Sequence, residues 1–167
     1  MNVRIAGIIN ESIVDGPGIR MVIFAQGCRH RCEGCHNPET HSFDGGRLVT
    51  VDSILEQARA NPLLDGLTLS GGDPFEQAES FAVLAREARK LGLNIMTYTG
   101  YTYEYIAENA PKHRGWKELL DETDILVDGR FELERRNLLL KFRGSENQRI
   151  IDVKKSKAEN RAVIIEL

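Results

Sequence analysis

The sequence predicts an α/β fold: a parallel sheet curling into a partial, open (βα) barrel. Two observations predict it. Short apolar runs ending in glycine recur along the chain, and amphipathic helical stretches lie between them. Strand then helix, repeated, implies parallel strands joined by crossovers. The units are too few to close an eight-fold barrel.

Taken in order, "VRIAGIIN" near the N-terminus is a strand candidate, and "RMVIFAQG" (Arg20–Gly27) has the pattern of a buried strand. "VDSILEQARAN" (Val51–Asn61) is a short helix. "LTLSGG" (Leu67–Gly72) is the second glycine-ended strand. Between Pro74 and Leu91, Ala78, Phe81, Ala82, Ala85 and Ala88 recur at helical spacing, opposite charged residues. Asp73 suits the cap of that helix, Pro74 its first turn and Gly92 its end. "NIMTYTG" (Asn94–Gly100) is the third strand. "YTYEYIAENA" and "RGWKELLDE" are helical, with Trp116 anchoring the latter, and "DILVDG" (Asp124–Gly129) is the fourth strand. Tyr101, Tyr103 and Tyr105 alternate and do not share one helical face, which suits packing at a helix start. "RAVIIEL" is a closing strand candidate. The polar stretch "RGSENQRIIDVKKSKAENR" is expected at the surface.

Bulk properties narrow the function. At 167 residues with 41% hydrophobic and 28% charged residues, residues 1–167 are expected to form one soluble domain. The net charge of −3 lacks the basic excess of a nucleic-acid binder. No apolar run approaches the ~20 residues of a membrane span. The first residues lack the apolar core of a secretory signal. The expected compartment is the cytoplasm, where thiols stay reduced.

All three cysteines, Cys28, Cys32 and Cys35, fall in "CRHRCEGCHN". An odd count in a reducing compartment argues against disulfides. A Cys3His zinc site could recruit His30, His36 or His41, although zinc knuckles usually draw on two separated pairs. A redox pair from Cys32 and Cys35 leaves Cys28 unexplained. An iron–sulfur cube normally takes four thiolates, so three would leave one iron open to another ligand.

The C-x3-C-x2-C spacing after the first core strand resembles the signature of the radical S-adenosylmethionine enzymes. "SGGDP" (Ser70–Pro74) is similar to their glycine-rich element at the next strand end. "DGPGIR" (Asp15–Arg20) resembles the entry segment of glycyl-radical-enzyme activases. "TYTGY", "ILVDGRF" and "RGSENQRIIDV" follow the pattern of the activases that serve anaerobic ribonucleotide reductase, from Asp15 to about Val153. One departure is "DGRF" where "DGPF" is the family form; Arg130 adds charge to that loop.

The resemblance implies the radical S-adenosylmethionine type of open barrel and a [4Fe–4S] cluster held by Cys28, Cys32 and Cys35. It implies S-adenosylmethionine on the fourth iron, met by Gly34, Cys35, His36, Gly71, Gly72 and Asp73. Reductive cleavage would give a 5′-deoxyadenosyl radical that takes hydrogen from a glycine. The implied partners are anaerobic ribonucleotide reductase and a low-potential electron donor. Arg143 is a candidate for the cofactor carboxylate, Asp128 for its ribose or for a turn, and His30 for a donor to cluster sulfur or for packing. The alternatives are activation of another glycyl radical enzyme, small-molecule radical chemistry, or a non-catalytic zinc-binding module.

Overall fold

A computed structural model describes residues 1–167. Seven strands form one sheet: β1 (Asn2–Ser12), β2 (Arg20–Ala25), β3 (Arg47–Thr50), β4 (Gly66–Gly71), β5 (Asn94–Tyr98), β6 (Ile125–Asp128) and β7 (Arg149–Asp152). The helices are α1 (Val51–Arg59), α2 (Ala78–Lys90), α3 (Tyr103–Asn109), α4 (Trp116–Glu122) and α5 (Val153–Glu159). The spatial order is β3-β1-β2-β4-β5-β6-β7, so the two edges never meet and the sheet stays open.

The four glycine-ended strands are the parallel centre: β2, β4, β5 and β6 pair parallel in that order. Antiparallel strands flank them, β1 and β3 on one side and β7 on the other. The strand–helix alternation carries no sign of these flanks, because β1 reaches β2 through a loop, without a crossover helix.

Side chains alternate across the sheet. Leu67, Leu69, Ile95 and Leu126 face the main core, where α2 contributes Phe81, Leu84, Ala85 and Ala88. The five α2 residues expected to be apolar-facing are all buried. On the opposite face, Met96, Ile125, Val127 and Ile150 form a smaller cluster beneath loops. No helix residue contributes to that cluster. Trp116 anchors α4, donating from Nε1 to Phe75 O at 2.9 Å. Of the tyrosines, Tyr103 is buried, while Tyr101 and Tyr105 stack at 5.4 Å.

The segment "DGPGIR" folds onto the open face through Arg20. Its guanidinium is 1% exposed and has no carboxylate partner. It donates to Thr68 Oγ1 (2.8 Å), Pro17 O (2.9 Å), Leu67 O (2.9 Å) and Asn94 Oδ1 (2.9 Å). Burial lowers its pKa to about 10, still far above neutrality. Thr68 in turn donates to Asp15 O at 2.7 Å. A charged group satisfied only by neutral acceptors thus fixes the turn before β2.

Two expectations require correction. The polar C-terminal stretch is not simply surface: it contains β7 and α5, and it buries Ser145, Ile150, Ile151, Val153 and Ser156. Asp152 caps α5 by accepting from Lys155 N at 2.9 Å. "RAVIIEL" is not a strand; it runs along β7 with one bridge, Ile151 to Ile164. No helix is long and apolar enough to cross a membrane.

Phe81 is fully buried where α2 meets the sheet. Phe81→Ala is expected to cost about 3–5 kcal/mol, read as a lower denaturant midpoint at unchanged slope.

Candidate functional site

The parallel pairing of β2 with β4 sets Ala25 abreast of Gly71, so both strands end at one level. The loops leaving them are laced together by backbone bonds. Gly72 N donates to Ala25 O (2.8 Å), Asp73 N to Gly27 O (2.9 Å) and Gly27 N to Thr40 O (2.7 Å). The cysteine loop therefore starts against the glycine pair. Gly71 has φ +89°, and a Cβ there would lie 2.5 Å from Ala25 N. A Cβ on Gly72 would strike Gly27 O and come within 2.9 Å of Thr40 O. Both positions demand glycine through close backbone approach.

A cavity of about 520 Å³ opens at these strand ends. That volume lies within the range of small-molecule sites. Its walls include Cys28, Cys32, Cys35, His36, Ser70, Gly71 and Gly72. Sites predicted from two separate motifs thus meet in one space, as expected at the carboxyl ends of parallel strands. The third strand end adds Tyr98, Thr99 and Gly100; the loops after β6 add Phe131, Phe142, Arg143 and Gln148. Asp15 and Val14 reach it from the entry turn.

The three thiols are free and half-buried. Burial pushes the Cys28 thiol up to about 11, against the opposing pull of the His30 and Arg31 backbone amides. Burial raises Cys32 as well, opposed by the Phe131 amide. A bound cation must overcome this by taking the thiolate form. No three His, Cys, Asp or Glu side chains converge to hold a single ion. The donor set, the glycine cradle and the cavity fit a cluster with a small molecule beside it.

Asp73 sits apart from the other predicted residues. Its carboxylate is fully buried and does not line the cavity. Oδ1 accepts from Phe75 N (3.0 Å), capping the turn that leads into α2. Oδ2 accepts from His30 Nε2 (2.7 Å), Thr99 Oγ1 (2.9 Å) and Gly100 N (3.0 Å). Asp73 braces the site from behind. Gly34 is also set back from the cavity wall: it has φ +74°, and a Cβ would sit 2.8 Å from Leu133 Cδ1. It lets the cysteine loop lie against the loop after β6. His36 packs on Phe131 there, with ring centroids 5.1 Å apart.

Asp128 is buried and bound to Arg149 Nε (3.0 Å) and Tyr103 N (2.7 Å), so its carboxylate serves the fold and lies outside the cavity wall. Arg143 does line the cavity, donating from Nη1 to Gln148 O at 2.7 Å. Sequence reasoning missed Phe131, Tyr98 and Gly100 as wall residues. The quoted segments "TYTGY" and "DGRF" held the signal, but not which side chains would face inward. A second tie joins the cysteine loop to α2's approach: Arg29 pairs with Glu76 at 2.7 Å, and Tyr101 donates to Glu76 Oε1 at 2.6 Å.

Gly72→Ala is expected to lower stability by about 1–3 kcal/mol, because backbone atoms must move to admit the methyl. A thermal melt of the apo chain checks it, with the same variant losing iron uptake on reconstitution.

Comparison with known proteins agrees with this geometry. Residues 14–151 match the family described as a 4Fe-4S single cluster domain. The anaerobic ribonucleoside-triphosphate reductase-activating protein of Enterobacteria phage T4 is 37% identical over 145 residues, covering 82% of this chain and 86% of its own. That of Vibrio cholerae is 36% identical, covering 81% and 89%. The pyruvate formate-lyase-activating enzyme of Clostridium pasteurianum is 35% identical over 130 residues, which cover 74% of this chain and 50% of that enzyme. A cysteine loop and a glycine cradle at adjoining strand ends, in a chain this similar along most of its length, place it among the 4Fe–4S single-cluster proteins, in the family of anaerobic ribonucleoside-triphosphate reductase-activating proteins.

Proposed function

We propose that this chain activates an anaerobic ribonucleotide reductase by installing a glycyl radical on it. The observation that carries the reading is the facing of three thiols from one loop onto the cavity that Gly71 and Gly72 help to form. When bound, a [4Fe–4S] cluster and S-adenosylmethionine supply the electron and the 5′-deoxyadenosyl radical that abstracts hydrogen from a glycine Cα. The chain's own residues bind, orient and shield.

Cys28, Cys32 and Cys35 are the iron ligands. Each must lose its proton, and the raised thiol pKa of Cys28 makes cluster assembly release protons. Gly71 and Gly72, packed tightly on the backbone of Ala25, Gly27 and Thr40, would present their own backbone to the methionyl end of S-adenosylmethionine, with Cys35 and His36 beside it. Asp73 serves this end indirectly by fixing the loop, and Gly34 serves it by keeping the loop thin. Arg143 offers a cation for the cofactor carboxylate, since its Nη1 serves Gln148 O and Glu146 O and its other nitrogens keep their donors.

The open sheet suits a macromolecular substrate. The cavity walls leave one side open to solvent, as entry of a polypeptide loop requires. Phe131, Phe142 and Tyr98 supply apolar wall that limits water near a reactive radical. The electron comes from a low-potential donor, and the expected setting is the cytoplasm.

Anaerobically purified chain is expected to be brown and to carry iron and sulfide in the proportions of one [4Fe–4S] cluster. Replacing Cys28, Cys32 and Cys35 together by Ala should abolish that absorbance; a triple variant that keeps its iron would refute the ligand assignment. With reductant, S-adenosylmethionine and an anaerobic ribonucleotide reductase, a glycyl-radical EPR doublet should form on the reductase together with 5′-deoxyadenosine. Cofactor cleavage without that doublet would assign the chain to a different substrate.

A further inference from the structure

We propose that the hairpin between β6 and β7 is the docking arm for the protein substrate, seated on an apolar patch of that partner bordered by carboxylates. The proposal rests on the reading of a polypeptide substrate above.

The arm runs from Arg135 to Glu146. Glu146 N donates to Arg135 O (2.9 Å) and Asn137 N to Gly144 O (3.2 Å), and Arg136 bridges Ser145 antiparallel. Residues 138–143 form the tip. Asn137 Oδ1 fixes its start, accepting from Leu139 N at 3.0 Å. The Tyr98 hydroxyl fixes its end by donating to Phe142 O, where the backbone is left-handed at φ +64°. The returning side, Phe142, Arg143 and Gly144, lines the cavity. The tip is thus pinned beside the cavity, and it presents Leu138 and Leu139 to solvent, 81% and 92% exposed.

A second segment does the same. Ile13 and Val14, in the entry turn, are 75% and 73% exposed, and Val14 also lines the cavity. These four are the most exposed large hydrophobic side chains of the chain. Apolar residues scattered singly over a surface mean little, but four on two segments that border one opening mark a contact surface. A stable protein pair covers about 800 Å² on each partner, so a protein that feeds a loop into the cavity also rests on the rim around it.

Charge states the partner's chemistry. The chain is net −3, yet residues 130–143 hold five Arg or Lys against two Glu. Arg130, Arg135, Arg136 and Lys141 are exposed, and none of them pairs with a carboxylate. Cations around an apolar tip select a surface that offers carboxylates around an apolar patch. A second copy docked tip to tip would set these cations against their own kind.

Two double variants of the full-length, cluster-reconstituted chain test the arm: Leu138→Asp with Leu139→Asp, and Arg135→Glu with Arg136→Glu. The concentration of anaerobic ribonucleotide reductase that gives half the maximal glycyl-radical EPR signal should rise at least about tenfold for each. Added salt should raise it more for wild type than for the arginine variant. Iron content, and reductant-driven cleavage of S-adenosylmethionine without the reductase, should match wild type. An unchanged half-maximal concentration in either iron-replete variant overturns the proposal; should one variant lose iron, the other decides. Sedimentation that finds wild type dimeric and the leucine variant monomeric, with the reductase dependence unchanged, would also overturn it and assign the tip to a second copy. Wild-type chain that cleaves the cofactor yet leaves no radical on the reductase would refute the reading on which the proposal rests, and the proposal with it.

Discussion

One buried carboxylate holds the working end of this protein together. Asp73 accepts from its own turn, from the end of β5 and from the cysteine loop, all within 3.0 Å. Those segments are distant in sequence, and the carboxylate adds side-chain bonds to the backbone bonds that already lace two of their loops together. A charge taken out of water must have its hydrogen bonds made good, which makes this arrangement demanding of geometry. Loop positions that would otherwise drift are thereby set relative to the cavity.

Arg20 does the equivalent work on the open face. Its guanidinium ties the entry turn to β4 and β5 using only neutral acceptors. With helices on one face and this turn on the other, the sheet need not close to be covered. The sheet is open with antiparallel edges, and a cavity lies at its parallel strand ends. The proposed chemistry on a protein substrate calls for such an opening. The fold thus meets two needs that pull apart: shielding for reactive chemistry and access for a polypeptide.

Much of this was legible in the residues. Glycine-ended apolar runs gave the four parallel strands within one or two residues, and helical spacing gave α2 with its buried face. The cysteine spacing and the glycine pair marked residues that line the cavity, because clustered thiols and close backbone approach each restrict residue type. Other features were not legible. β3 is four residues long and mostly exposed, so it has no apolar signature. β7 and α5 sat inside a stretch dominated by charge, with only Ile150, Ile151 and Val153 to reveal the burial. Asp73 read as a helix cap, which it is in part; nothing local showed that its second oxygen served His30, Thr99 and Gly100.

By itself, the sequence determined the class of fold, the strand ends that border the cavity, and the loop in which all three thiols cluster. These depend on local pattern and on residue chemistry, both of which are written position by position. Only the tertiary structure decided which of those residues face the cavity. It turned Cys28, Cys32, Cys35, His36, Gly71 and Gly72 toward the space, set Gly34 and Asp73 behind it, and brought in Tyr98, Gly100 and Phe131. The physical reason is that facing is a property of packing: a side chain's direction follows from which strand lies beside its own and which buried group claims its hydrogen bonds.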